Sequence, residues 1–443
     1  MTFKSYKEAI EYIFSLRKPR QNYTPGIHLE RLKTFLDFVD NPQNDYKIIH
    51  VGGTSGKGSV TYITSKILIG HALKVGTHTS PHMFSINDKF QINLQNIENE
   101  ELVLLTDWLK NALQSFFNKY QIEISYYEAI VAMVFKHFSI NKVDVAVIEV
   151  GLGGKLDATN VVNSEIAILT NVGLDHMEIL GNTKEEILLD KVEIMKPNKS
   201  FITAVREVNL IQIIKNKAKQ KKNHLYIFDE EFKASEGQSF ESYSTFTFSN
   251  QEIEIKNIEL GLSGIFQIEN ASLAIQASYL FLENKLDSSK LISTLKELNF
   301  PGRMQLISKN PLIIFDGAHN ESKMRALSHT LRNLYPDKKL KILLSFKKGK
   351  NLDLIIKEMV NMNISEIVIT EFEWEYYDKL VSFSSEEIKI ELENYIKTIN
   401  IDIVKDPYEA YKIAKHEIQN DEMLLVTGSL YLLGTLFQKL NNA

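Results

Sequence analysis

The stretch Ile48–Ser59 reads IIHVGGTSGKGS, an apolar run that breaks into glycines and then a lysine and a serine. A buried strand that opens into a glycine loop and a helix forms a phosphate cradle. The glycines let backbone N–H groups turn inward on an anion, and the following helix adds its positive N-terminal end. Lys57 can reach terminal phosphates and a nearby hydroxyl can bind Mg²⁺. The expected strand is Tyr46–Val51, and Val60, Ile63 and Ile67 mark the apolar face of the expected helix. Val51 stands where the generic phosphate-loop pattern has its first glycine, and Gly58 separates Lys57 from Ser59. The generic pattern therefore leaves two readings open, a nucleotide triphosphate site and a plain glycine turn.

A chain of 443 residues exceeds what one core supports, so two or three domains are expected. Hydrophobic content of 44% and charged content of 24% are those of a soluble globular protein. The longest apolar runs, such as Val143–Val150, have strand length and cannot span a membrane. MTFKSYKEAI lacks an apolar secretory core, so no signal peptide is expected. The absence of cysteine excludes disulfides, thiolate metal sites and cysteine nucleophiles, and fits a cytoplasmic location. A net charge of −5 gives no support for nucleic-acid binding. The basic clusters at 215–222 and 347–350 read as solvated faces.

Apolar runs alternate with amphipathic segments over most of the length. Further strands are expected at Val75–Thr79, Val143–Val150, Ile166–Thr170 and Phe201–Ala204, with helices at Lys57–Leu73, Glu100–Lys119, Tyr127–Ser139 and Thr183–Met195. That rhythm predicts an α/β fold with a mostly parallel sheet. Leu225–Leu262, where Phe246, Phe248, Ile253 and Ile255 alternate with polar residues, predicts a small antiparallel hairpin appended to it. Asn299-Phe300-Pro301-Gly302 punctuates the chain, and the α/β rhythm then restarts from Leu312 to Thr427. The expected domains are 1–299 and 300–443, the second Rossmann-like.

A Mg²⁺–ATP site also needs oxygen or imidazole ligands at strand ends. Glu149 ends the most apolar strand, where a bare carboxylate is costly unless a cation or donors hold it. Asp175-His176 follows another strand; a lone histidine is more often structural. Lys191 and Lys196 lie on or just after the next helix, where lysines are normally solvated. Asp316-Gly317-Ala318-His319-Asn320 ends the first strand of the second domain, where open sheets bind ligands, although Asn320 also suits a helix N-cap. Arg303 is either a phosphate-binding arginine or an interdomain ion pair. Ser80-Pro81-His82 reads first as a capped turn.

Taken in order along nearly the whole chain, these segments resemble the folylpolyglutamate synthase / dihydrofolate synthase family of the Mur ligase superfamily. GGTSGKGS is similar to that family's phosphate loop, which also places a glycine between lysine and serine. TSPH (79–82), SYYE (125–128), VAVIEVGLGGKLDATN (145–160), GLDHMEILGNT (173–183), KVEIMKP (191–197), PGRMQ (301–305), DGAHN (316–320) and VTGSLYLLG (426–434) follow. The resemblance implies an ATP loop of Thr54, Ser55, Gly56, Lys57, Gly58 and Ser59, with Lys57 on the β- and γ-phosphates. It implies two Mg²⁺ ions, one on Ser59 and Glu149, the other on His176 and a carbamylated Lys191. Lys57, His176 and Lys191 form the implied catalytic set. Asn270, Arg303, Asp316 and His319 are implied nucleotide contacts, and Ser80, His82 and Asp157 implied contacts of the pterin-bearing substrate. This chain departs from the family pattern at Lys155 (arginine in GGRLDATN), at Asn87-Asp88-Lys89-Phe90 (NERI), at Gly264-Ile265-Phe266-Gln267 (GxHQ) and over Phe346–Asn351.

The implied activity is ATP-dependent amide ligation by a cytoplasmic monomer without nucleic-acid or membrane partners. ATP converts a carboxylate of dihydropteroate or of a reduced folate into an acyl phosphate, and the amine of L-glutamate attacks it. The rival readings are a cell-wall Mur ligase acting on a UDP-sugar and an ATP-binding switch without ligase activity. GKGS, TSPH and DGAHN together favour the folate branch.

Overall fold

The computed structural model describes residues 3–17, 27–374 and 380–441. The chain forms two compact units. The first runs to Ser235 and takes in Thr247–Lys256 and Glu269–Leu295; the second comprises Glu236–Phe246, Asn257–Ile268 and the chain from Lys296 onward.

The sheet of the first unit has strands in the order 95–96, 91–92, 75–78, 145–149, 47–52, 166–169, 200–203, 224–227. The last six are parallel and the two short ones at one edge are antiparallel. Every residue of Val145–Glu149, and every residue of Lys47–Gly52 after Lys47, is buried, as a sheet with covered faces requires. Lys47–Gly52 lies between 145–149 and 166–169, so Val51 pairs with Glu149 on one side and Ile168 on the other. Strand order reverses there. Open sheets bind ligands at such a point, because the connections leave in opposite directions and open a crevice. The expected strands and helices form with ends displaced by a few residues. Lys57–Gly70 stops early because His71 closes it, its backbone N–H reaching Ile67 O.

The hairpin expected within Leu225–Leu262 forms around Asn250, from Ser244–Asn250 and Glu254–Leu260, but the segment holds more than that hairpin. His224–Ile227 is the last parallel strand of the main sheet. Phe232–Ser239, Ser244–Asn250 and Glu254–Leu260 make a separate three-stranded sheet. Asn250 builds its second turn by accepting from Glu252 N and Ile253 N, and this is the turn the alternation marks. The first strand, FKASEGQS, is largely exposed and polar, so it carries no apolar alternation.

The second sheet runs 305–309, 312–315, 422–427, 339–344, 364–369, 400–403, with only the first pair antiparallel. Its core packs Ile314, Ile342, Leu344, Ile367 and Leu425 against helix residues Leu327, Leu331, Ile355, Met359 and Ile388. No described helix is long and apolar enough to cross a membrane.

Two buried histidines in the first unit make its stability acid-sensitive. Burial pushes both His50 and His78 down to about 3. His78 Nδ1 donates to Lys89 O at 3.0 Å, a bond that favours the charged ring, but burial and the Lys89 charge outweigh it and hold the ring neutral. In the unfolded chain these groups protonate near 6.5. Between those values the unfolded state binds more protons, so stability is complete above about pH 6.5 and falls as pH drops toward 3. Each ring contributes a slope of about 1.4 kcal/mol per pH unit. His78→Asn keeps a donor near Nδ1 and removes the titration. From pH 7 to pH 5 the variant should lose about 2 kcal/mol less than the parent in urea unfolding; parallel losses would contradict this.

Candidate active site

The loop after Lys47–Gly52 is clamped to the end of strand Ile166–Leu169. Thr54 N donates to Asn171 O at 3.0 Å and Ser55 N to Asn171 Oδ1 at 2.9 Å. Thr170 Oγ1 donates to Ser55 O at 2.6 Å, and Gly173 N to Thr54 Oγ1 at 3.0 Å. Gly53 and Gly56 have φ of 139° and 83°, conformations that L side chains rarely adopt. A Cβ on Gly53 would lie 1.9 Å from Thr170 Oγ1, and one on Gly56 2.4 Å from Asn270 Oδ1. The second contact places Asn270 against the loop. Lys57 and Gly58 open helix Lys57–Gly70, and Ser59 is buried in its first turn.

Lys57 Nζ donates to Gly53 O at 3.1 Å, and Lys191 Nζ donates to the same oxygen at 3.2 Å. Two lysine amines therefore share one carbonyl beneath a glycine loop. Lys191 is only 5% exposed. Burial first, and Lys57 second, push its amine down to about 7, against the pull of Asp190, Asp175 and Asp157. Its helix, Lys184–Lys191, is fixed by Ile187 and Leu188 in a core with Leu169, Val172, Ile194 and Phe201. The glycine run after Glu149 packs on the same point. A Cβ on Gly154 would come within 2.7 Å of Lys191 O, and Lys155 N donates to Asp190 O at 3.0 Å. The spacing of GLGG thus serves Lys191, which sequence spacing alone left on a solvated helix face.

Glu149 is buried, and its carboxylate accepts Ser80 N at 3.0 Å, tying the SPH turn to the strand end. Ser80–Pro81 is a cis peptide. Asp88 collects the N–H groups of Met83 and Phe84 at 2.9 and 2.7 Å and so shapes this turn. His82 is buried; burial, then Lys89 and Arg17, hold it well below its usual range. Lys89 was legible only as a departure from the family pattern. It is buried among Glu149, Asp88, Asp157 and Arg17, and burial pushes it down to about 8. Asp157 is buried and accepts Leu152 N and Thr159 N at 2.9 Å each. Burial raises its carboxyl, and hydrogen bonds from Thr159 and Leu152 oppose that. Lys196 is not the solvated lysine its position suggested: it donates to Asn160 O and Oδ1 at 2.8 Å each.

His176 heads the short helix Met177–Leu180 at φ 53°. Its ring is 39% exposed, with the Asp175 and Glu178 carboxylates 3.8 and 3.7 Å away. Among the described residues no three histidine or carboxylate side chains gather around one point. Ser59 and Glu149 offer a hydroxyl and a carboxylate, hard oxygen donors of the kind Mg²⁺ takes beside phosphate oxygens and water. An unmodified Lys191 amine is not such a donor.

In the second unit, Asp316 is buried and accepts Met304 N and Ala318 N at 2.8 Å each. Burial raises its carboxyl and Arg303 opposes that. Arg303 stacks on Phe300 at 5.4 Å and donates to Gly302 O. His319 Nδ1 donates to Gly317 O at 2.7 Å, leaving Nε2 to accept from Lys323 Nζ at 3.2 Å; burial and Lys323 keep it neutral. Asn320 is the N-cap of Glu321–Leu334, accepting Lys323 N at 3.0 Å.

Residues 51–278 match the family model of the Mur ligase middle domain, and 297–439 match that of the dihydrofolate synthetase C-terminal domain. A folylpolyglutamate synthase of Lacticaseibacillus casei is 31% identical over 335 residues, 75% of this chain and 77% of that one. The chain belongs to the folylpolyglutamate / dihydrofolate synthase family of Mur ligases. A Bacillus subtilis dihydrofolate synthase/folylpolyglutamate synthase in that family is 28% identical over 99% of this chain and all of its own. A solved family member in complex with AMPPCP and folate superposes with a TM-score of 0.80 at 27% identity, covering 98% of this chain and 99% of that one.

Proposed function

We propose that this protein is an ATP-dependent ligase that joins L-glutamate to a pteroate or folate carboxylate. The observation that carries this reading is the convergence of Lys57 and Lys191 on Gly53 O below the glycine loop. The Lys57 cation and the buried Lys191 amine around one neutral oxygen place positive charge where a polyphosphate would complement it. The relatives' names and the AMPPCP–folate complex supply the substrate class.

In the proposed reaction the acceptor's carboxylate oxygen attacks the γ-phosphorus, the P–O bond to ADP breaks, and an acyl phosphate forms. The glutamate nitrogen then attacks the acyl carbon; the tetrahedral adduct expels inorganic phosphate and the nitrogen loses a proton. The chain's work is positioning and charge neutralisation. The Thr54–Ser59 loop holds the phosphates, Lys57 meets the charge on the transferring group, and Asn270 packs on the loop. Arg303, Asp316 and His319 are the proposed nucleotide contacts of the second unit. Ser80, His82 and Asp157 are the proposed acceptor contacts. Mg²⁺ held by Ser59 and Glu149, and a second ion by His176 with a carbamylated Lys191, would neutralise phosphate charge. A Lys191 amine near pH 7 is the form that takes up carbon dioxide, which turns it into an oxygen ligand. We assign the nucleotide role to 1–299 and the glutamate-ligase role to 300–443, in a cytoplasmic monomer.

The test is the coupling of ATP turnover. ADP release should require both L-glutamate and a pteroate acceptor; equal release without either would favour the switch reading.

A further inference from the structure

A chain of buried side-chain hydrogen bonds runs from the central strand to Asp157. His50 Nε2 lies 2.8 Å from Thr159 Oγ1, and Thr159 Oγ1 donates to Asp157 Oδ1. His50, Thr159 and Asp157 are 0%, 1% and 5% exposed. The donor order is fixed by chemistry. A threonine hydroxyl has one proton, and Thr159 gives it to the carboxylate, so it must accept from His50 N–H. His50 therefore carries its proton on Nε2. Burial keeps the ring neutral, so that single donor is permanent at neutral pH. Thr159 N and Oγ1 and, at 3.5 Å, the Tyr127 hydroxyl all hold Oδ1, and Leu152 N holds Oδ2. Each carboxylate oxygen offers about two acceptor sites and Oδ2 takes only Leu152 N, so Oδ2 keeps capacity for one more. A chain of three polar groups in a strand core otherwise occupied by Ile48, Ile49 and Val51 adds desolvation cost that an apolar trio would avoid.

We propose that His50 and Thr159 are positioning residues that aim the free lone pair of Asp157 at the acceptor substrate. The proposal rests on the reading of Asp157 as an acceptor contact. The substrate group it fits is an N–H donor on the acceptor, since an ionised carboxylate only accepts.

The test is steady-state kinetics with ATP and L-glutamate saturating and the acceptor that turns over, dihydropteroate or tetrahydrofolate, varied. Thr159→Val, isosteric but without the hydroxyl, and His50→Leu should each raise the acceptor KM about tenfold. The ATP KM should stay within about twofold of the parent. His50→Gln, whose amide places an N–H near Nε2, should restore the acceptor KM to within about threefold. The double variant should be no worse than either single one, because both break the same chain. Asp157→Asn separates the two claims. An unchanged acceptor KM in Asp157→Asn overturns the reading of Asp157 itself. A raised acceptor KM there, with parental values in Thr159→Val and His50→Leu, overturns the positioning role. Lower melting temperatures with parental acceptor KM would assign the chain to the fold alone and also overturn it. Should His50→Leu fail to fold, Thr159→Val carries the test.

Discussion

Lys57→Ala is expected to cut glutamate-dependent ADP release by about a thousandfold, the scale of losing one preorganised charge from a transferring group. Lys57 Nζ already points along the loop toward Gly53 O, so its position is set before nucleotide arrives. The variant should keep its melting temperature, because Lys57 is half-exposed at a helix start and contributes nothing to the core. Lys57→Arg should recover little: a planar fork does not replace a compact ammonium beside a second lysine. Near-parental turnover in Lys57→Ala would remove the loop from the proposed mechanism.

Lys191→Ala should be equally inactive, and formate or acetate should restore part of the rate. The free amine is buried beside Lys57 and pushed down to about 7. At neutral pH about half of it is therefore uncharged and nucleophilic. In the proposed carbamylation, attack of this neutral amine on carbon dioxide would form an N–C bond, release one proton and leave an anion beside Lys57. Like-charge repulsion would become attraction, and this change is what the rescue experiment tests. Full activity of Lys191→Ala would show that Lys191 holds no essential ligand. Inactivity untouched by formate or acetate would keep Lys191 essential but deny it the carboxylate role.

The order of elements was legible because apolar runs and glycine loops mark a parallel sheet directly. Ile48–Val51 and Val145–Val150 are buried on both faces, and their composition says so. The segment from 225 to 262 was only partly legible: the alternation marked the hairpin at Asn250, but an exposed strand such as Phe232–Ser239 has no apolar face to alternate. Helix Ser385–Glu393 carries a full capping box at Ser384 and Glu387, a signal present in the sequence and passed over. The phosphate loop was legible for the same reason as the sheet: it is contiguous. What spacing could not show was which distant residues meet it. Gly154 against Lys191, Lys196 on Asn160, and Lys89 among Glu149, Asp88 and Asp157 are contacts between strand ends far apart in sequence. Family resemblance supplied Lys191, but not its shared acceptor with Lys57. It supplied neither His50 nor Thr159, whose roles follow from hydrogen-bond direction.

The central claim is that ATP is used to attach glutamate to a pteroate-type carboxylate. Mass spectrometry of products from dihydropteroate and from tetrahydrofolate, each with ATP and L-glutamate, tests it most directly. At least one acceptor should gain glutamyl residues, with one ADP and one phosphate released for each. ADP formation while neither acceptor gains a glutamyl residue would contradict the account.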